Sequence, residues 1–267
     1  MQCKLRKFPY PYLCALSINS DIDNATSQES FLALMDFLNT SKPTPFGKGI
    51  GLEIGNSFWF YNSSKKKQLS YFQNVNNKES KLAPFIREFW KSGHIDIIHS
   101  YGNFDEGGFK RFFAEKSLSE LEKHGAKIPV WVNHGIGLNH QKVGDYPDMH
   151  GDDPNHKAYH MDLTLLLGCE FFWTGKNTHI LGQDANRTFS TVTKQGIQWV
   201  LKKTRYRNTE NPIFDKGNRL LRPIKFRDGN LAWEFQRWIN SWGRETFLDI
   251  NEFSTQINRK IINRLIK

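Results

Sequence analysis

The sequence has few cysteines and lacks a long apolar run. Its three cysteines, Cys3, Cys14 and Cys169, are too few and too scattered for a disulfide framework. Cys14 and Cys169 lie within apolar stretches, where cysteine packs as a small hydrophobic side chain. No stretch reaches the roughly 18 consecutive apolar residues that a membrane-spanning helix needs. A reducing, cytoplasmic compartment and no membrane span are therefore expected.

Several catalytic and nucleic-acid-binding motifs are also missing. The sequence contains no zinc-finger spacing, no His-Glu-x-x-His, no phosphate-binding Gly-rich loop ending in Lys-Ser/Thr and no Gly-x-Ser-x-Gly. The net charge is +10, but Lys and Arg cluster only at residues 65–67 and 202–207. Without a recognition-helix or RNP pattern, a nucleic-acid partner is disfavoured. A solvated surface explains the charge best, and an anionic substrate such as a nucleotide-linked or lipid-linked sugar also suits it.

The chain is predicted to be one α/β domain over residues 1–267. Its hydrophobic content of 38% allows a large core, and most of the aromatic residues, 14% of the chain, are expected there. Strand and helix patterns alternate. Strands are predicted at 12–18, 51–54, 57–61, 95–98, 128–132, 169–173, 178–181 and 224–226. Helices are predicted from a Thr26 capping box to about residue 41, at 82–90, from a Ser117 capping box to Gly125, and at 253–266. Such alternation indicates a parallel sheet whose active site lies at the carboxyl ends of the strands.

Polar residues cluster at those strand ends. Asp21 and Asp23 follow the first predicted strand, where a turn could bring one carboxylate to a metal ion and leave the other as a general base. An Asx-rich turn that caps the next helix explains them as well. His99 ends its own strand and is either a metal ligand or a structural histidine. Further histidines lie in or beside the Gly- and Asp-rich segment 135–155, which is predicted to be a functional loop.

The order of these motifs resembles that of the polysaccharide deacetylase superfamily (NodB-like, family 4 carbohydrate esterases). The matching segments are residues 17–23, His99-Ser100, residues 131–135 and residues 169–173. Residues 99–102 and 159–162 are similar to the branch linked to O-antigen and other surface-polysaccharide gene clusters.

The resemblance implies a fold, a cofactor and a set of roles. The fold would be a distorted (β/α) barrel of about seven strands, and the enzyme would remove N-acetyl groups from amino sugars. A divalent metal ion, with zinc as the expected one, would be held by Asp23 and His99. The resemblance further implies Asp21 as the base, His134 and His160 as catalytic residues, and Tyr101, Trp131, Asn133, Gly135 and Asp162 as substrate-binding residues.

The chain departs from the family pattern at three points. The two aspartates are separated by a residue instead of adjacent, which makes the role of Asp21 less secure. Asn103 stands where the family has a second histidine, and an amide oxygen is a weaker ligand for zinc than imidazole. The third ligand is therefore open among Asn103, His134 and His160. The chain also stops within its last predicted helix, so a truncated barrel without its C-terminal strand is expected.

Two functions follow from this pattern. The first is a metal-dependent deacetylase that acts on an amino sugar or glycan, nucleotide- or lipid-linked, in surface-polysaccharide assembly. The second is a catalytically silent barrel that binds carbohydrate or serves as a scaffold, suggested by Asn103 and the missing final strand. A nucleic-acid-associated protein is a third reading that only the charge supports.

Overall fold

The computed structural model describes residues 17–21, 25–65, 68–135, 137–178 and 221–238, together with positions 11, 189 and 193. The helices are α1 (Gln28–Asn39), α2 (Ala83–Ser92), α3 (Arg111–Lys123) and α4 (Met161–Leu166). The strands are β1 (Asn19–Ser20), β2 (Pro43–Thr44), β3 (Gly47–Lys48), β4 (Gly55–Phe58), β5 (Tyr61–Asn62), β6 (Ile95–His99), β7 (Gly102–Asn103), β8 (Val130–Val132), β9 (Phe171–Trp173), β10 (Asn177–Thr178), β11 (Leu221–Lys225), β12 (Leu231–Phe235) and β13 (Arg237–Trp238). Among these residues, no helix combines the length and apolar character that crossing a bilayer requires.

The chain divides into two compact units. The larger comprises Ile18–Thr174 and Pro223–Glu234 and contains all four described helices. The smaller comprises Met1–Ser17, Gly175–Arg222 and Phe235–Lys267, and in its described part β10 pairs in parallel with β13. The single domain over residues 1–267 stays a prediction.

Seven strands form one sheet in the order β1-β4-β6-β8-β9-β12-β11. Each pairing from β1 to β12 is parallel. The predicted α/β class with a mainly parallel sheet is therefore confirmed. Because neighbouring parallel strands end at the same edge, the carboxyl ends of β1, β4, β6, β8, β9 and β12 share one side of the sheet.

Local signals explain where the first two helices begin and end. The Ser27 hydroxyl accepts the Ser30 N–H at 3.1 Å and caps α1, one residue after the predicted cap at Thr26. Proline in the first turn of α2 starts it, and Gly93 ends it with φ of 75°. The prediction of this second helix, closed by Gly93, is confirmed.

The third helix starts earlier than predicted. It begins at Arg111, so Ser117 lies inside it instead of capping it, and the buried Ser117 hydroxyl donates to the Phe113 carbonyl at 2.9 Å. An intrahelical bond of this kind satisfies serine without ending the helix, so the capping pattern was misleading. The strands at 95–98, 128–132 and 169–173 correspond to β6, β8 and β9.

Other predicted elements differ or cannot be compared. Residues 51–54 are not a strand, whereas α4 and β12 were not predicted. Most of the first predicted strand lies outside the described residues, and so does the last predicted helix at 253–266. The long loop after β8 is confirmed, because its described residues 135 and 137–155 contain no helix or strand.

Aromatic side chains fill the core, as predicted. The Tyr71 ring stacks on Trp90 with centroids 5.2 Å apart, and Phe58 and Phe60 pack against the same Trp90. Cys169 is also buried, as expected for a cysteine in an apolar stretch. Among the described residues, the bulkiest fully buried side chains are Trp131, Tyr61, Tyr71, Tyr101, Phe60, Phe104 and Phe172.

Candidate functional site

Two histidines meet at the carboxyl edge of the sheet. His99 is the last residue of β6, and His134 follows the neighbouring β8. His99 lies opposite Val132 in the register, and His134 is two residues further on, so both side chains share one face. The His99 Nε2 and His134 Nδ1 atoms are 3.2 Å apart, and the ring planes stand at 85°. The two predicted site histidines are thus in direct contact.

Ser100 fixes the position of this pair. Its hydroxyl accepts the His134 backbone N–H at 3.0 Å and donates to the Val132 carbonyl at 3.2 Å. Its own backbone N–H also donates to Val132, at 2.8 Å. Ser100 is fully buried and has φ of 51°, a left-handed conformation that costs an L-residue about 1–2 kcal/mol. Such a conformation persists only where its surroundings enforce it, and here it turns the chain sharply after His99.

Trp59 covers the histidine pair from the other neighbouring strand. It follows β4, where Phe58 pairs with Ile98, and therefore lies level with His99 on the same face. Its ring centroid is 4.7 Å from that of His134 and 5.9 Å from that of His99. Trp59 is 3% exposed, so it shields the pair on this side from water.

Of the two predicted site aspartates, Asp21 lies within the described residues and Asp23 does not. Asp21 directly follows β1, and the β1–β4 register continued by one residue places it opposite Ser57, on the face that carries Trp59 and His99. This position is compatible with the predicted base. Asp23 lies outside the described residues, so its role as a metal ligand stays a prediction.

Asn103 is occupied by other contacts. Its side-chain amide donates to Gln68 Oε1 at 3.0 Å, and its Oδ1 accepts the Asp105 backbone N–H at 3.1 Å. It is 2% exposed and lies in β7, which pairs with β5 outside the main sheet. The structure therefore places Asn103 in a supporting role for the loop after His99, and of the three candidate third ligands only His134 is seen to contact His99.

Trp131 and Tyr101 are buried away from the pair. Trp131 pairs with Ile98 in the register, which puts its side chain on the opposite face of the sheet from His99. Both residues are fully buried, and the Tyr101 hydroxyl bonds to Thr164 Oγ1 at 2.8 Å. Burial raises the pKa of Tyr101 well above its usual value. These two predicted substrate contacts are core residues in this structure.

Asn133 and Gly135 shape the loop after β8. Asn133 accepts the Trp131 indole N–H at 2.9 Å and the Val143 N–H at 3.0 Å, and its amide donates to the Val143 carbonyl at 2.8 Å. Gly135 has φ of 86°, and a Cβ there would lie 2.0 Å from Asp105 Oδ1. Both predicted substrate-binding residues therefore hold the segment that carries His134.

His160 and Asp162 are both engaged with other side chains. Both ring nitrogens of the fully buried His160 are engaged, Nδ1 with Thr164 Oγ1 at 2.7 Å and Nε2 with the Gln141 carbonyl at 2.6 Å. Burial lowers the pKa of His160 to about 4. Asp162 forms a two-point ion pair with Arg111 at 2.7 and 2.8 Å, which lowers its pKa. Structural partners hold both side chains in this arrangement, and their catalytic and substrate-binding roles stay predictions.

Two further residues at this edge, Trp59 and Glu234, were not predicted from the sequence. Trp59 lies inside an aromatic predicted strand, a pattern typical of core residues, and only the end of β4 at Phe58 distinguishes it. Glu234 lies near the carboxyl end of the unpredicted β12, is fully buried and accepts a hydrogen bond from Thr174, which follows β9. The only signal for Glu234 was a carboxylate in an otherwise apolar stretch.

The histidine pair fits one part of a metal site. Two imidazole nitrogens bound to one tetrahedral ion at about 2.0–2.1 Å lie roughly 3.3 Å apart, close to the observed 3.2 Å. Within the part of the chain that the structure describes, no third His, Cys, Asp or Glu brings a ligand atom within 4.8 Å of both nitrogens. A third protein ligand would therefore have to come from a rearranged Asp21, from Asp23 or from another residue outside the described ones.

One group of three side chains has ligand atoms that converge, namely Glu79, Glu120 and His124, all within 4.8 Å of one another. Arg87 already pairs with Glu79 at 2.7 Å, and Lys123 lies 3.3 Å from Glu120. With both carboxylates neutralised by cations, this group is better described as an ion-pair network that joins α2 to α3.

In comparisons of the chain with protein-family models, curated proteins and solved structures, nothing matched.

Proposed function

We propose that the chain is a metal-dependent hydrolase of the polysaccharide deacetylase type, with its site at His99 and His134. The observation that carries this proposal is the 3.2 Å approach of two imidazole nitrogens at the carboxyl edge of a parallel sheet. In α/β folds this edge is where catalytic residues from several strands meet. The sheet of seven strands is compatible with the distorted barrel that the motif order implies.

The proposed chemistry divides the roles among residues of this chain. His99, His134 and Asp23 would hold a zinc ion, which supplies Lewis acidity and acidifies water at neutral pH. Asp21, on the same face as His99, would accept the proton of the attacking water. Trp59 excludes solvent from one side of the pair, which strengthens electrostatic interactions there. Ser100 keeps His134 in place.

The proposed substrate is an amino sugar or glycan that carries an N-acetyl group, nucleotide- or lipid-linked, in cytoplasmic steps of O-antigen or related polysaccharide assembly. The motif order supports the reaction class. The net charge of +10 supports an anionic carrier, because a basic surface attracts phosphate-bearing substrates.

The test measures metal content and acetate release together. The purified chain is stripped with a chelator, reloaded with zinc and assayed on N-acetylglucosamine oligomers and on a nucleotide-linked N-acetylhexosamine. His99→Ala and His134→Ala are each expected to weaken zinc binding by at least about tenfold, whereas His94→Ala, at the amino end of β6, serves as the matched control. Asp21→Asn is expected to retain zinc and lose about 100-fold in acetate release. Unchanged zinc content in both site variants would sink the proposal.

A silent carbohydrate-binding barrel is the second candidate, and Asn103 favours it. Its side chain is engaged with Gln68 and Asp105, so it supplies no replacement for the missing family histidine. Calorimetry that detects glycan binding by the zinc-loaded chain, without any acetate release, would favour this candidate over the enzyme.

A further inference from the structure

Three other histidines form a cluster in the loop after β8. His140, His150 and His156 are half-buried, and we refer to them as the histidine cluster. The His150 and His156 rings stack with centroids 4.0 Å apart, and His140 lies 5.1 Å from His150 and 5.7 Å from His156. Three imidazoles can pack this closely only while most of them are uncharged, because charged rings would repel one another.

The cluster joins two parts of the loop. The His150 backbone N–H donates to the His140 carbonyl at 3.1 Å, and Gly151 donates to the Lys142 carbonyl at 2.9 Å. Further on, His156 donates to the Asp153 carbonyl at 3.0 Å and completes the turn that brings its ring back onto His150. The three side chains therefore lie where the first and last segments of the loop contact each other.

Protonation would disturb every ring of the cluster. The Nδ1 atoms of His140 and His150 are buried and have no hydrogen-bond partner among the described residues. In an imidazolium both nitrogens carry protons, so each of these atoms would become a buried donor without an acceptor. His156 Nδ1 accepts the Ala158 N–H at 3.1 Å, and a proton on this nitrogen would set donor against donor. The folded loop thus favours neutral rings at His150 and His156.

The acidic neighbours of the cluster do not offset this preference. Asp153 favours the charged form of both His150 and His156, and Asp148 favours that of His150. Asp148, however, already forms an ion pair with Lys142.

Basic neighbours act in the opposite direction. Arg227 disfavours a charge on His150, and Lys157 disfavours one on His156. Burial is the largest cause, and the neighbouring imidazoles add to it, so the pKa values of His150 and His156 both lie below the ordinary value.

We propose that the histidine cluster is a proton-operated latch: its neutral rings keep residues 137–156 closed at neutral pH, and its protonation in mildly acidic solution opens this loop. The direction follows from where protons bind. The open loop exposes ordinary imidazoles that take up protons below about pH 6.5, whereas the closed loop resists them. Falling pH therefore favours the open form.

The latch adjoins the site proposed above. Asn139, the residue before His140, donates from its side chain to the His134 carbonyl at 2.9 Å, and Gln141 bonds to both Asn139 and the backbone of Tyr101. Opening at His140 would loosen these bonds. The effect on catalysis rests on the proposed function, but the opening of the loop does not.

Hydrogen exchange of the full chain tests the latch without reference to activity. Protection of peptides covering residues 137–156 is compared at about pH 7.5 and about pH 5.5, after correction for the intrinsic exchange rates. The wild-type loop is expected to lose at least about tenfold in protection at the lower pH, while peptides from α3 lose far less. His150→Gln/His156→Gln is expected to abolish most of this difference, and His94→Gln, which alters a histidine outside the loop, is expected to leave it unchanged.

A second measurement does not depend on how the variants fold. In the wild-type chain, NMR titration of the imidazole carbons is expected to show His150 and His156 titrating below their ordinary range and together with the loop opening. Ordinary, independent titration of the rings, or loop protection that does not change with pH, would overturn the latch. A pH effect that vanishes when a chelator is added would also overturn it, since a bound metal ion would then be holding the loop. Loss of zinc binding at His99 and His134 would leave these readouts unaffected.

Discussion

The His99 Nε2 and His134 Nδ1 atoms lie 3.2 Å apart although 35 residues separate them in sequence, because β6 and β8 are parallel neighbours that end at the same edge. Without a cation between them, one of these nitrogens must donate a proton to the other. With a cation, both would turn a lone pair toward it. The same geometry therefore serves either an imidazole pair or two ligands of one ion, and the residues around it decide how firmly it is held.

Ser100 is the first of these residues to test. Ser100→Ala removes the acceptor of the buried His134 N–H and is expected to cost about 2 kcal/mol in the free energy of unfolding. Ser100→Gly removes the same oxygen but adopts φ of 51° without strain, so it should be more stable than the alanine variant by about 1 kcal/mol. Urea unfolding measures both. An alanine variant as stable as the glycine variant would contradict the strain at this position.

Gly135 offers a test with a matched control. Gly135→Ala places a Cβ 2.0 Å from Asp105 Oδ1 and 2.6 Å from the Asn139 amide that holds the His134 carbonyl. Gly93→Ala meets nothing within 4 Å at a similar φ of 75°. Both variants are expected to lose about 1 kcal/mol in the free energy of unfolding, because alanine disfavours the left-handed backbone. Gly135→Ala is expected to lose about 2 kcal/mol more through the clash. Equal losses in thermal or urea unfolding would mean that the loop yields freely around Gly135.

The sequence was sufficient for the parts of the fold that depend on local patterns. The capping residues around α1 and α2 and the apolar stretches of β6, β8 and β9 are encoded within a few neighbouring positions. Strand ends then locate His99 and His134 at one edge, because parallel strands end together.

The remaining site assignments depend on long-range contacts that no short pattern reveals. His160 was a candidate catalyst because it stands in a Tyr-His-x-Asp segment, yet its ring bonds to Gln141, 19 residues earlier. Trp131 is a predicted substrate-binding residue, but its register with Ile98 turns its side chain to the face of the sheet opposite His99. Trp59 has no local signal in the sequence, since only the end of β4 distinguishes it from core aromatic residues.

An ion pair between the buried loop residue Asp152 and the partly exposed Arg227, in the turn after β11, can be tested by a double-mutant cycle. Asp152 is 1% exposed and accepts hydrogen bonds from the Arg227 guanidinium at 2.6 Å and from the Arg227 backbone N–H at 3.2 Å. Arg227→Met leaves the carboxylate buried without its cation and is expected to cost about 3 kcal/mol. Adding Asp152→Asn removes the uncompensated charge, so the double variant should be more stable than Arg227→Met alone. Strictly additive losses would show that the two side chains are not coupled.

His160 predicts how stability responds to acid. Its pKa is about 4 in the folded chain, below the ordinary 6.5, because burial disfavours the imidazolium between Thr164 and the Gln141 carbonyl. The unfolded chain therefore binds a proton at His160 below about pH 6.5 that the folded chain does not bind until about pH 4. Its contribution is complete above pH 6.5, is lost as the pH falls toward 4, and changes no further below that.

The expected loss over this interval is about 3 kcal/mol. His160→Gln cannot titrate, so the difference in unfolding free energy between wild type and variant should shrink by this amount as the pH falls from about 6.5 to about 4. Making the comparison in the His150→Gln/His156→Gln background isolates His160, because the histidine cluster then no longer opens the loop that carries Gln141. Urea titrations at several pH values measure the difference. A constant difference would contradict this prediction, because it would mean that the imidazole of His160 is as easily protonated in the folded chain as in the unfolded one.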